Sequence, residues 1–511
     1  MTGAGTLFAL LREQSPEATA VIANGRPTTY AELAATAARR AGGMRALGVE
    51  RGGRVGILME NRLEWLETAF AAAMLGAVAV PFSTWSKPAE LSYLIADAGL
   101  DLLVAVGAFG GQDFAAALAA LDQPLPPVVI LDAEKRPGWI AYHDLTGDPP
   151  AEIAARPDDD AFILYTSGSS ARPKAVRLRQ GRTVENGFHI GERMGLKPDD
   201  RVLLAPPLFW SYGAANALPA ALSHGAALVL QPRFEPGGWL DLIERHRCTA
   251  VYTLPSMTGA ALRHPGFRRE RTASLRTGLM IGSPEEVRVA AEELGAARIC
   301  NIYGSTETYG NCCVTPAEWP LDRRMRNQGP PLPGARLRIA DPETGAALPA
   351  DEIGAVEVAG SATPGYAGAS AAANEAAFTA DGYFRTGDRG SLDAAGDFHF
   401  AARDNDMIKR AGINVSPAEV EIVLLQYPGI AQAAVVGATA GERGEAIVAF
   451  VVAAEGAILD PEALRAHCRA LASSYKVPDR IELCAALPTT ETGKLFRRGL
   501  KEMAAAFFAD T

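Results

Sequence analysis

One ten-residue segment combines hydroxyl groups, glycine and two cations in the way that a polyphosphate site requires. Tyr165-Thr-Ser-Gly-Ser-Ser-Ala-Arg-Pro-Lys174 directly follows the apolar run Ala161–Leu164. At the end of a predicted strand, glycine lets the backbone approach an anion, and the hydroxyl and N–H groups can donate hydrogen bonds to phosphate oxygens. The segment therefore predicts a phosphate-binding loop.

This loop differs at two positions from the phosphate loop of P-loop NTPases, G-x-x-x-x-G-K-[ST]. Pro173 occupies the position of the second glycine and has no N–H to donate, and Ala175 occupies the position of the Mg²⁺-binding hydroxyl. We therefore expect a loop that binds phosphates without being a Walker motif.

Four further segments carry charged, hydroxyl and glycine residues of the same kind. They are Asn301-Ile-Tyr-Gly-Ser-Thr-Glu307, Tyr383-Phe-Arg-Thr-Gly-Asp388, Arg403-Asp-Asn-Asp-Met-Ile-Lys-Arg-Ala-Gly412 and Thr492-Gly-Lys494. In order and spacing, these four segments and the Tyr165 loop resemble the signature motifs of the adenylate-forming superfamily, which includes acyl-CoA synthetases, peptide-synthetase adenylation domains and luciferases. The resemblance implies that a carboxylate attacks the α-phosphate of ATP. Because these two groups are both anionic, cations, Mg²⁺ and N–H groups must converge on the phosphates.

The resemblance covers essentially the whole chain and points to the branch of AMP-forming acyl-CoA synthetases, the acid–CoA ligases. It implies ATP, Mg²⁺ and CoA as cofactors and a small carboxylic acid as the substrate. In this family the phosphate loop wraps the β- and γ-phosphates. That role falls here on Thr166, Ser167, Gly168, Ser169, Ser170 and Lys174.

The resemblance also implies a site for adenine. Asn301 resembles the amide that reads the exocyclic amine of the base, and Tyr303 resembles the aromatic ring that packs on it. Gly282 and Ser283 would form the opposite wall. Gly282 and Gly304 would each line both the nucleotide site and the acid site.

Five other residues are implied to act on the ribose, the phosphates or the metal. Thr306 would contact the α-phosphate, and Glu307 would hold Mg²⁺, a hard cation that prefers carboxylate oxygens. Asp388 and Arg403 resemble the pair that fixes the ribose hydroxyls, one an acceptor and the other a donor that does not deprotonate. Lys494 resembles the catalytic lysine that bridges the carboxylate and the α-phosphate.

In this family the two half-reactions use a mobile C-terminal domain. By resemblance, residues 1–402 form the N-terminal domain that binds AMP and the acid, and residues 403–511 form the mobile domain. Asn405 would be the hinge. Gly412 would line the tunnel for a pantetheine arm, where a side chain would block the thiol.

Four positions outside the acid pocket depart from the family pattern. The family usually has Gly at the positions of Ala171, Ala175 and Ala402, and Asp or Lys at the hinge position of Asn405. Alanine is the mildest replacement for glycine, and asparagine tolerates unusual φ/ψ angles. We therefore expect adenylation to be kept, and the departures bear chiefly on the efficiency of the second half-reaction.

The predicted acid pocket begins at Trp210, Tyr212 and Gly213. Trp210 stands where the family often has His, and where its amino-acid-activating members have Asp to pair with an ammonium group. A tryptophan supplies no such charge, which argues against an α-amino acid. It would instead gate the pocket or form an apolar wall, with plain core packing as the alternative.

The small residues that follow both motifs predict room for a ring: Gly213, Ala214, Ala215, Gly310 and Cys312.

The elements that position these groups are predicted from alternating helical and strand patterns. Such alternation predicts a doubly wound α/β sheet with right-handed crossovers. The patterns are Ala31–Leu47, Arg54–Met59, Leu63–Leu75, Ala77–Pro81 and Leu102–Val106, then Val202–Ala205, Leu228–Leu230, Ala250–Leu254 and Arg298–Tyr303. From about Gly329, shorter runs predict a β-rich subdomain, with Tyr366–Ala377 as a loop.

After Arg403 the α/β rhythm restarts with Pro417–Tyr427, Ile430–Gly437, Ala446–Val452 and Pro461–Ser473. We therefore predict an α/β protein. Its large N-terminal domain contains two doubly wound α/β subdomains and a small β-rich subdomain, and a small mobile α+β C-terminal domain follows.

Composition excludes several classes of function. The 511 residues are too many for one hydrophobic core, and the net charge of −10 gives no electrostatic footprint for nucleic acid or an anionic membrane. The apolar segment Ala69–Phe82 is too short for a membrane span and predicts a buried helix that runs into a strand.

Six cysteines without a C-x-x-C motif predict neither disulfides nor a zinc site, and Cys312 and Cys313 are expected to be buried. The start of the chain does not resemble a signal peptide, so we expect a cytoplasmic protein, monomeric or homodimeric.

The sequence thus predicts a ligase that adenylates a hydrophobic, cyclic or aromatic acid with MgATP and transfers the acyl group to CoA. Two enzymatic alternatives remain: transfer to the phosphopantetheine arm of a carrier protein acting in trans, or release of the acyl-adenylate to a partner. A third alternative is a non-catalytic nucleotide- or acyl-binding protein.

Overall fold

The computed structural model describes residues 5–134, 136–166, 173–410, 413–439, 445–472, 476–490 and 495–508. The described α-helices are α1 Leu7–Glu13, α2 Tyr30–Ala46, α3 Leu63–Leu75, α4 Pro88–Ala98, α5 Phe114–Ala119, α6 Gln180–Met194, α7 Leu218–Leu222, α8 Pro236–His246, α9 Pro255–Leu262, α10 Pro284–Glu292, α11 Leu321–Arg326, α12 Asn374–Ala377, α13 Pro417–Leu425, α14 Pro461–Leu471 and α15 Arg497–Ala506. None of these helices is long and apolar enough to cross a membrane.

The strands are β1 Thr19–Ala23, β2 Arg26–Thr29, β3 Arg54–Leu58, β4 Val78–Pro81, β5 Leu102–Val106, β6 Ala108–Phe109, β7 Gln112–Asp113, β8 Val128–Leu131, β9 Ile140–Ala141, β10 Asp160–Thr166, β11 Lys174–Arg179, β12 Arg201–Leu204, β13 Ala227–Leu230, β14 Ala250–Tyr252, β15 Thr277–Met280, β16 Arg298–Tyr303, β17 Cys313–Val314, β18 Arg336–Ala340, β19 Gly354–Ala359, β20 Tyr366–Ala367, β21 Phe384–Leu392, β22 Phe398–Arg403, β23 Ile408–Arg410, β24 Ile413–Val415, β25 Ile430–Thr439, β26 Glu445–Ala453 and β27 Arg480–Cys484.

The chain divides into two compact units. The first contains Met1–Leu337 and Val358–Phe384, and the second contains Arg338–Glu357 and Arg385–Thr511. The predicted α/β class, with a large N-terminal part and a small C-terminal part, is confirmed. These units are defined by packing, whereas the predicted boundary between residues 402 and 403 marks a hinge and stays a prediction.

The first unit is built on two eight-stranded sheets. The order of the first sheet is β17-β16-β15-β14-β12-β13-β1-β2, and its strands from β16 to β1 run parallel. The order of the second sheet is β20-β11-β10-β4-β3-β5-β8-β9, with β10 to β9 parallel and β11 and β20 antiparallel at the edge. Parallel strands need helical crossovers, which explains the alternation of helices and strands in the sequence.

Buried helix α3 shows how the sequence sets these elements. Nearly every residue of Leu63–Leu75 is buried, and the helix ends at Gly76, whose φ of 70° is the left-handed conformation that glycine adopts readily. Strand β4 follows at once and is buried along its whole length. The prediction of a buried helix that runs into a strand is confirmed.

The second unit contains a three-stranded sheet, β25-β26-β27, whose two faces are both covered. Because side chains alternate between the faces of a strand, one set from β25 and β26 packs with helices α13 and α14 and the other with α15. The unit also includes the pair β23-β24 and most of the four-stranded sheet β18-β19-β21-β22.

The structure corrects one predicted element. Tyr366–Ala377 was expected to be a loop because it is rich in Ala, Gly and Ser. Instead, β20 pairs with β11, a 3₁₀ turn covers Gly368–Ala373, and α12 follows. Two backbone pairs and several side-chain contacts hold this segment, and composition alone does not reveal such tertiary contacts.

Candidate active site

The carboxyl ends of four parallel strands, β12, β14, β15 and β16, lie at one edge of the first sheet. Ligands of open α/β sheets bind at this edge. The segments that leave these strands are the ones singled out by sequence: Trp210–Gly213 after β12, Gly282–Ser283 after β15 and Gly304–Glu307 after β16. The fold therefore brings the predicted adenine, α-phosphate and acid residues to one side of one sheet.

Asn301 holds two of these strand ends together. Its side chain is fully buried, and its Nδ2 donates to the carbonyl oxygens of Gly282 at 3.2 Å and Asn327 at 3.3 Å. Its Oδ1 accepts from the N–H of Gly282 at 3.3 Å. The amide thus fixes the position of Gly282 beside β16, and its contact with adenine stays a prediction.

The neighbouring residues are closely packed. Tyr303 is 4% exposed, and a Cβ added to Gly304 would lie 2.5 Å from the Cα of Asn311, so glycine is the residue that fits there. Ser283 caps helix α10, because its Oγ accepts from the N–H of Glu286 at 3.4 Å. The hydroxyl of Ser283 therefore has a structural role at this wall.

A hydrogen bond joins the predicted α-phosphate residue to the predicted acid motif. The Oγ1 of Thr306 donates to the Oγ of Ser211 at 3.1 Å. Ser211 lies between Trp210 and Tyr212, so the residues expected to contact the two reacting groups are neighbours in the structure.

The hydroxyl of Tyr212 is hydrogen-bonded to backbone carbonyl groups. Its hydroxyl lies 2.6 Å from the carbonyl oxygen of Leu279 and 3.2 Å from that of Thr253, and burial raises its pKa well above the usual range. It begins a π-helix, Tyr212–Ala217, a form often found at functional sites. A Cβ on Gly213 would overlap the carbonyl oxygen of Pro207.

Trp210 belongs to an aromatic cluster that the sequence did not reveal. It is half-buried, and its ring meets that of Trp85 edge-on, with centroids 5.3 Å apart and planes at 83°. Trp85 makes the same kind of contact with Phe209. Trp85 lies in the connection between β4 and α4, within a short polar stretch, and its only sequence signal was a large aromatic residue in a loop.

Glu307 and Lys174 both contact Tyr366, a second residue whose place in the site the sequence did not reveal. The hydroxyl of Tyr366 donates to Oε1 of Glu307 at 3.2 Å, and the Nζ of Lys174 lies 5.0 Å from the centre of its ring. Burial, with a smaller contribution from Glu307, raises the pKa of Tyr366, so this phenol stays protonated and can donate. The structure thus groups an anion, a cation and the ring that contacts both.

The carboxylate of Glu307 fits a magnesium ion that arrives with ATP. Mg²⁺ is usually held by one or two carboxylates together with phosphate oxygens, rather than by a cage of protein ligands. Within the described ranges, no group of three or more His, Cys, Asp and Glu side chains could hold a metal by itself. A single half-buried carboxylate with one oxygen fixed by Tyr366 suits this mode of binding.

The phosphate loop connects two paired strands. Thr166 and Lys174 are opposite each other in the antiparallel ladder of β10 and β11, so the loop begins and ends at one place. Ser167, Gly168, Ser169, Ser170 and Ala171 lie outside the described residues. Ala175, one of the departures from the family pattern, is buried in β11, and its N–H donates to the Oγ of Ser370 at 3.0 Å.

In the second unit, Asp388 and Arg403 form the predicted pair. They are direct partners in the ladder of β21 and β22, with Nε of Arg403 3.4 Å from Oδ1 of Asp388. The Asp388 side chain is 6% exposed and that of Arg403 is 67% exposed. Ala402 is buried in β22.

Three other predicted residues of this unit are described in part or not at all. Asn405 lies in a 3₁₀ turn, Asp404–Asp406, between β22 and β23, and its side chain is outside the described part. Gly412 and Lys494 lie outside the described residues. Cys312 and Cys313 of the first unit are buried, as predicted.

Comparisons with known proteins agree with this arrangement. The family model of AMP-binding enzymes matches residues 9–367, and the model of the AMP-binding enzyme C-terminal domain matches residues 419–494. A feruloyl-CoA synthase from an Amycolatopsis species is 35% identical over 94% of this chain and 95% of its own length.

Two solved structures extend the comparison to the fold. ATP-bound MatB from Rhodopseudomonas palustris is 28% identical, with a TM-score of 0.85 over 99% of both chains. The anthranilate CoA ligase AuaEII in complex with anthranoyl-AMP is 26% identical, with a TM-score of 0.86 over 98% of both chains. Both resemblances extend over nearly the full length of this chain.

Proposed function

The chain belongs to the family of AMP-binding enzymes, and on that premise we propose that it joins a hydrophobic, aromatic or cyclic carboxylic acid to CoA. It is an AMP-forming acid–CoA ligase. A carboxylate oxygen attacks the α-phosphorus of ATP and pyrophosphate leaves, which gives an acyl-adenylate. The sulfur of CoA then attacks the acyl carbon, the thiol proton is lost, and AMP leaves.

The hydrogen bond between Thr306 and Ser211 is the observation that carries this proposal. It joins the motif expected to contact the α-phosphate to the motif expected to contact the acid. An enzyme that forms a bond between these two groups must hold both within reach, and such positioning supplies much of the rate enhancement. A protein that only stored nucleotide would not need this connection.

The residues of the first unit have distinct tasks in the first step. Lys174 and the N–H groups of the loop would bind the β- and γ-phosphates and stabilise the pyrophosphate as it leaves. Glu307 would hold Mg²⁺, which supplies positive charge against the phosphate oxygens when it is bound. Tyr303 and Gly282 would enclose the adenine, with Asn301 keeping Gly282 in place.

The residues of the second unit are assigned by the same reasoning. The exposed guanidinium of Arg403 can donate and the carboxylate of Asp388 can accept, which suits the two hydroxyls of ribose. Lys494 would neutralise the charge that develops between carboxylate and α-phosphate. Asn405 as hinge and Gly412 beside the pantetheine arm stay predictions, as do the cytoplasmic location and the monomeric or homodimeric state.

The class of acid is inferred from the aromatic cluster. Trp85 and Trp210 offer ring surface and no charge to an acid bound beside Ser211. Aromatic rings pack favourably edge-on or offset against other rings. The similarity to a feruloyl-CoA synthase and to an anthranilate CoA ligase, whose names refer to aromatic acids, supports the same class.

A panel of acids tests this proposal. Pyrophosphate release from MgATP is measured with aliphatic, aromatic and polycyclic acids, each with and without CoA. We expect release that depends on an aromatic or cyclic acid and turns over only with CoA. Release with short aliphatic acids alone would contradict the substrate class, and no release with any acid would contradict the ligase.

The variant Trp210→Ala sharpens this test. Loss of the ring should raise KM for the preferred aromatic acid about tenfold, the effect of one lost aromatic contact, and leave KM for ATP unchanged. Trp319→Ala is the matched control, because Trp319 is a half-buried tryptophan that contacts Arg323 elsewhere in the first unit. Equal effects of the two substitutions on the acid would exclude Trp210 from the pocket.

A further inference from the structure

Tyr366 lies between the two charged groups of the first unit that the proposed reaction needs. Its hydroxyl donates to Oε1 of Glu307 at 3.2 Å, and the ammonium of Lys174 lies over its ring, 5.0 Å from the centroid. Tyr366 is 4% exposed, and Lys174 and Glu307 are each half-buried. No ion pair between Lys174 and Glu307 occurs in the part of the chain that the structure describes.

The backbone around Tyr366 is held by Asn374 and by strand β11. Its N–H donates to Oδ1 of Asn374 at 2.7 Å, and Nδ2 of Asn374 donates back to its carbonyl oxygen at 3.1 Å. In the ladder of β11 and β20, Tyr366 pairs with Val176, and Ala367 pairs with Ala175, which follows Lys174 in the chain.

The same segment also holds the backbone of Glu307 and reaches helix α4. The N–H of Thr363 donates to the carbonyl oxygen of Glu307 at 2.6 Å. Ala369 donates its N–H to Oδ1 of Asp97 at 2.7 Å. Gly368, with φ of 58°, leaves no room for a Cβ beside that carboxylate. The position of the Tyr366 ring is therefore fixed relative to both Glu307 and β11.

A fixed ring at this place has an electrostatic consequence. A lysine and a glutamate that share a partly buried site attract each other strongly, and a direct pair would occupy both charges. Lys174 instead contacts the ring face through a cation–π interaction, which is weaker than an ion pair. A phosphate group can therefore replace the ring as the partner of the ammonium. The hydroxyl occupies one oxygen of Glu307 and leaves the other for a cation.

We propose that Tyr366 is a positioning residue that keeps Lys174 and Glu307 from pairing, so that Lys174 binds phosphate and Glu307 binds Mg²⁺. This role rests on the proposed ligase function. It adds to that function a residue that contacts neither the reacting atoms nor the acid, and that acts through its two charged neighbours.

Binding of ATP without metal and without acid tests the role directly. The affinities of the wild type, Tyr366→Leu, Glu307→Gln and the double variant are measured by calorimetric titration in excess chelator. In Tyr366→Leu, Lys174 is expected to pair with Glu307, which weakens ATP binding about tenfold, roughly the loss of one charge-assisted hydrogen bond. In the Glu307→Gln background, the same substitution should change the affinity less than about threefold, because no carboxylate is left to pair with Lys174.

A conservative variant separates the hydroxyl from the ring. Tyr366→Phe keeps the ring below Lys174 and loses the donor to Glu307. It should therefore bind metal-free ATP like the wild type, and require a several-fold higher Mg²⁺ concentration for half-maximal pyrophosphate release. Tyr366→Phe also keeps the test valid if Tyr366→Leu does not fold, because an unchanged Mg²⁺ requirement would overturn the role by itself.

The outcomes distinguish this role from the proposed function. An equal loss of ATP affinity on Tyr366→Leu in both backgrounds would mean a general structural defect and overturn the role. No loss in either background would do the same. Failure of the wild type to bind ATP even when Mg²⁺ is restored would overturn the proposed function, and the role of Tyr366 with it.

Discussion

The side chains of the candidate site are of two kinds. Glu307 accepts from the hydroxyl of Tyr366 through one oxygen, and Asp388 contacts the guanidinium of Arg403 while its own side chain is nearly buried. Asn301 and Tyr212, in contrast, are engaged with backbone groups around them. Residues of the first kind are suited to bind ligand, and those of the second kind fix the walls.

The predicted contact between the carboxylate of Asp388 and the ribose of ATP can be tested with a single substitution. Asp388→Asn removes the charged acceptor, and KM for ATP should rise about tenfold to a hundredfold, the range for a lost hydrogen bond to a charged group. If the carboxylate binds ribose hydroxyls, the penalty should disappear with 2′,3′-dideoxy-ATP, for which the wild type and the variant should have equal KM. Steady-state kinetics with the two nucleotides measures this difference.

The control for this test is Asp393→Asn, since Asp393 lies on the turn between β21 and β22 and pairs with His399. Its KM should equal that of the wild type with both nucleotides. A penalty at Asp388 that persists with the dideoxy nucleotide would contradict contact with the ribose.

Trp85 and Tyr366 show why sequence predicted only part of the site. The motif residues could be assigned because each motif is contiguous and has a characteristic spacing. Trp85 contacts Trp210 from another connection of the fold, and Tyr366 contacts Lys174 and Glu307 from a segment without a distinctive composition. Contacts between distant segments become visible only when the strands that carry them are placed in their sheets.

At the scale of elements, the parallel sheet determines where the predicted motifs lie. Strands β12, β15 and β16 end at one edge, and the predicted motifs follow these ends. Strand limits such as those of β5 and β16, and helix α3, could be predicted from sequence because apolar periodicity is strong there. The π-helix Tyr212–Ala217 could not, because its wide turn follows from packing of small residues against the loop at Pro207.

Gly213→Ala tests the packing of that π-helix. The added methyl group would overlap the carbonyl oxygen of Pro207, and overpacking of this kind costs about 1–3 kcal/mol. The variant should therefore unfold at a lower temperature and lose acid-dependent activity, because Trp210 and Ser211 lie in the displaced segment. Thermal unfolding followed by circular dichroism measures the first effect.

Gly259→Ala is the matched substitution in helix α9. There the added methyl group meets only the flexible end of Arg263, and alanine favours a helix over glycine by roughly 0.5–1 kcal/mol. It should leave the unfolding temperature unchanged or raise it. A Gly213→Ala protein as stable as this control would show that the turn is less tightly packed than the structure indicates.

The predicted site residues are divided between two compact units. The first contains the predicted phosphate loop, the predicted adenine residues, Glu307 and the predicted acid motif, and the second contains Asp388 and Arg403. The length of the chain predicted two or more domains, and the α/β rhythm that restarts after Arg403 predicted a small C-terminal module. The assignment of residues 338–357 to the second unit was not predicted, because it depends on pairing between strands that are distant in sequence.

The central claim concerns one bond, which forms between a carboxylate oxygen and the α-phosphorus of ATP. The most direct measurement follows that oxygen. The preferred acid is labelled with ¹⁸O in its carboxylate, and the ¹⁸O content of each product of a complete reaction with CoA is measured by mass spectrometry. The account predicts AMP that carries one labelled oxygen, together with unlabelled pyrophosphate. Label in inorganic phosphate with formation of ADP, or acyl-CoA formed with unlabelled AMP, would contradict it.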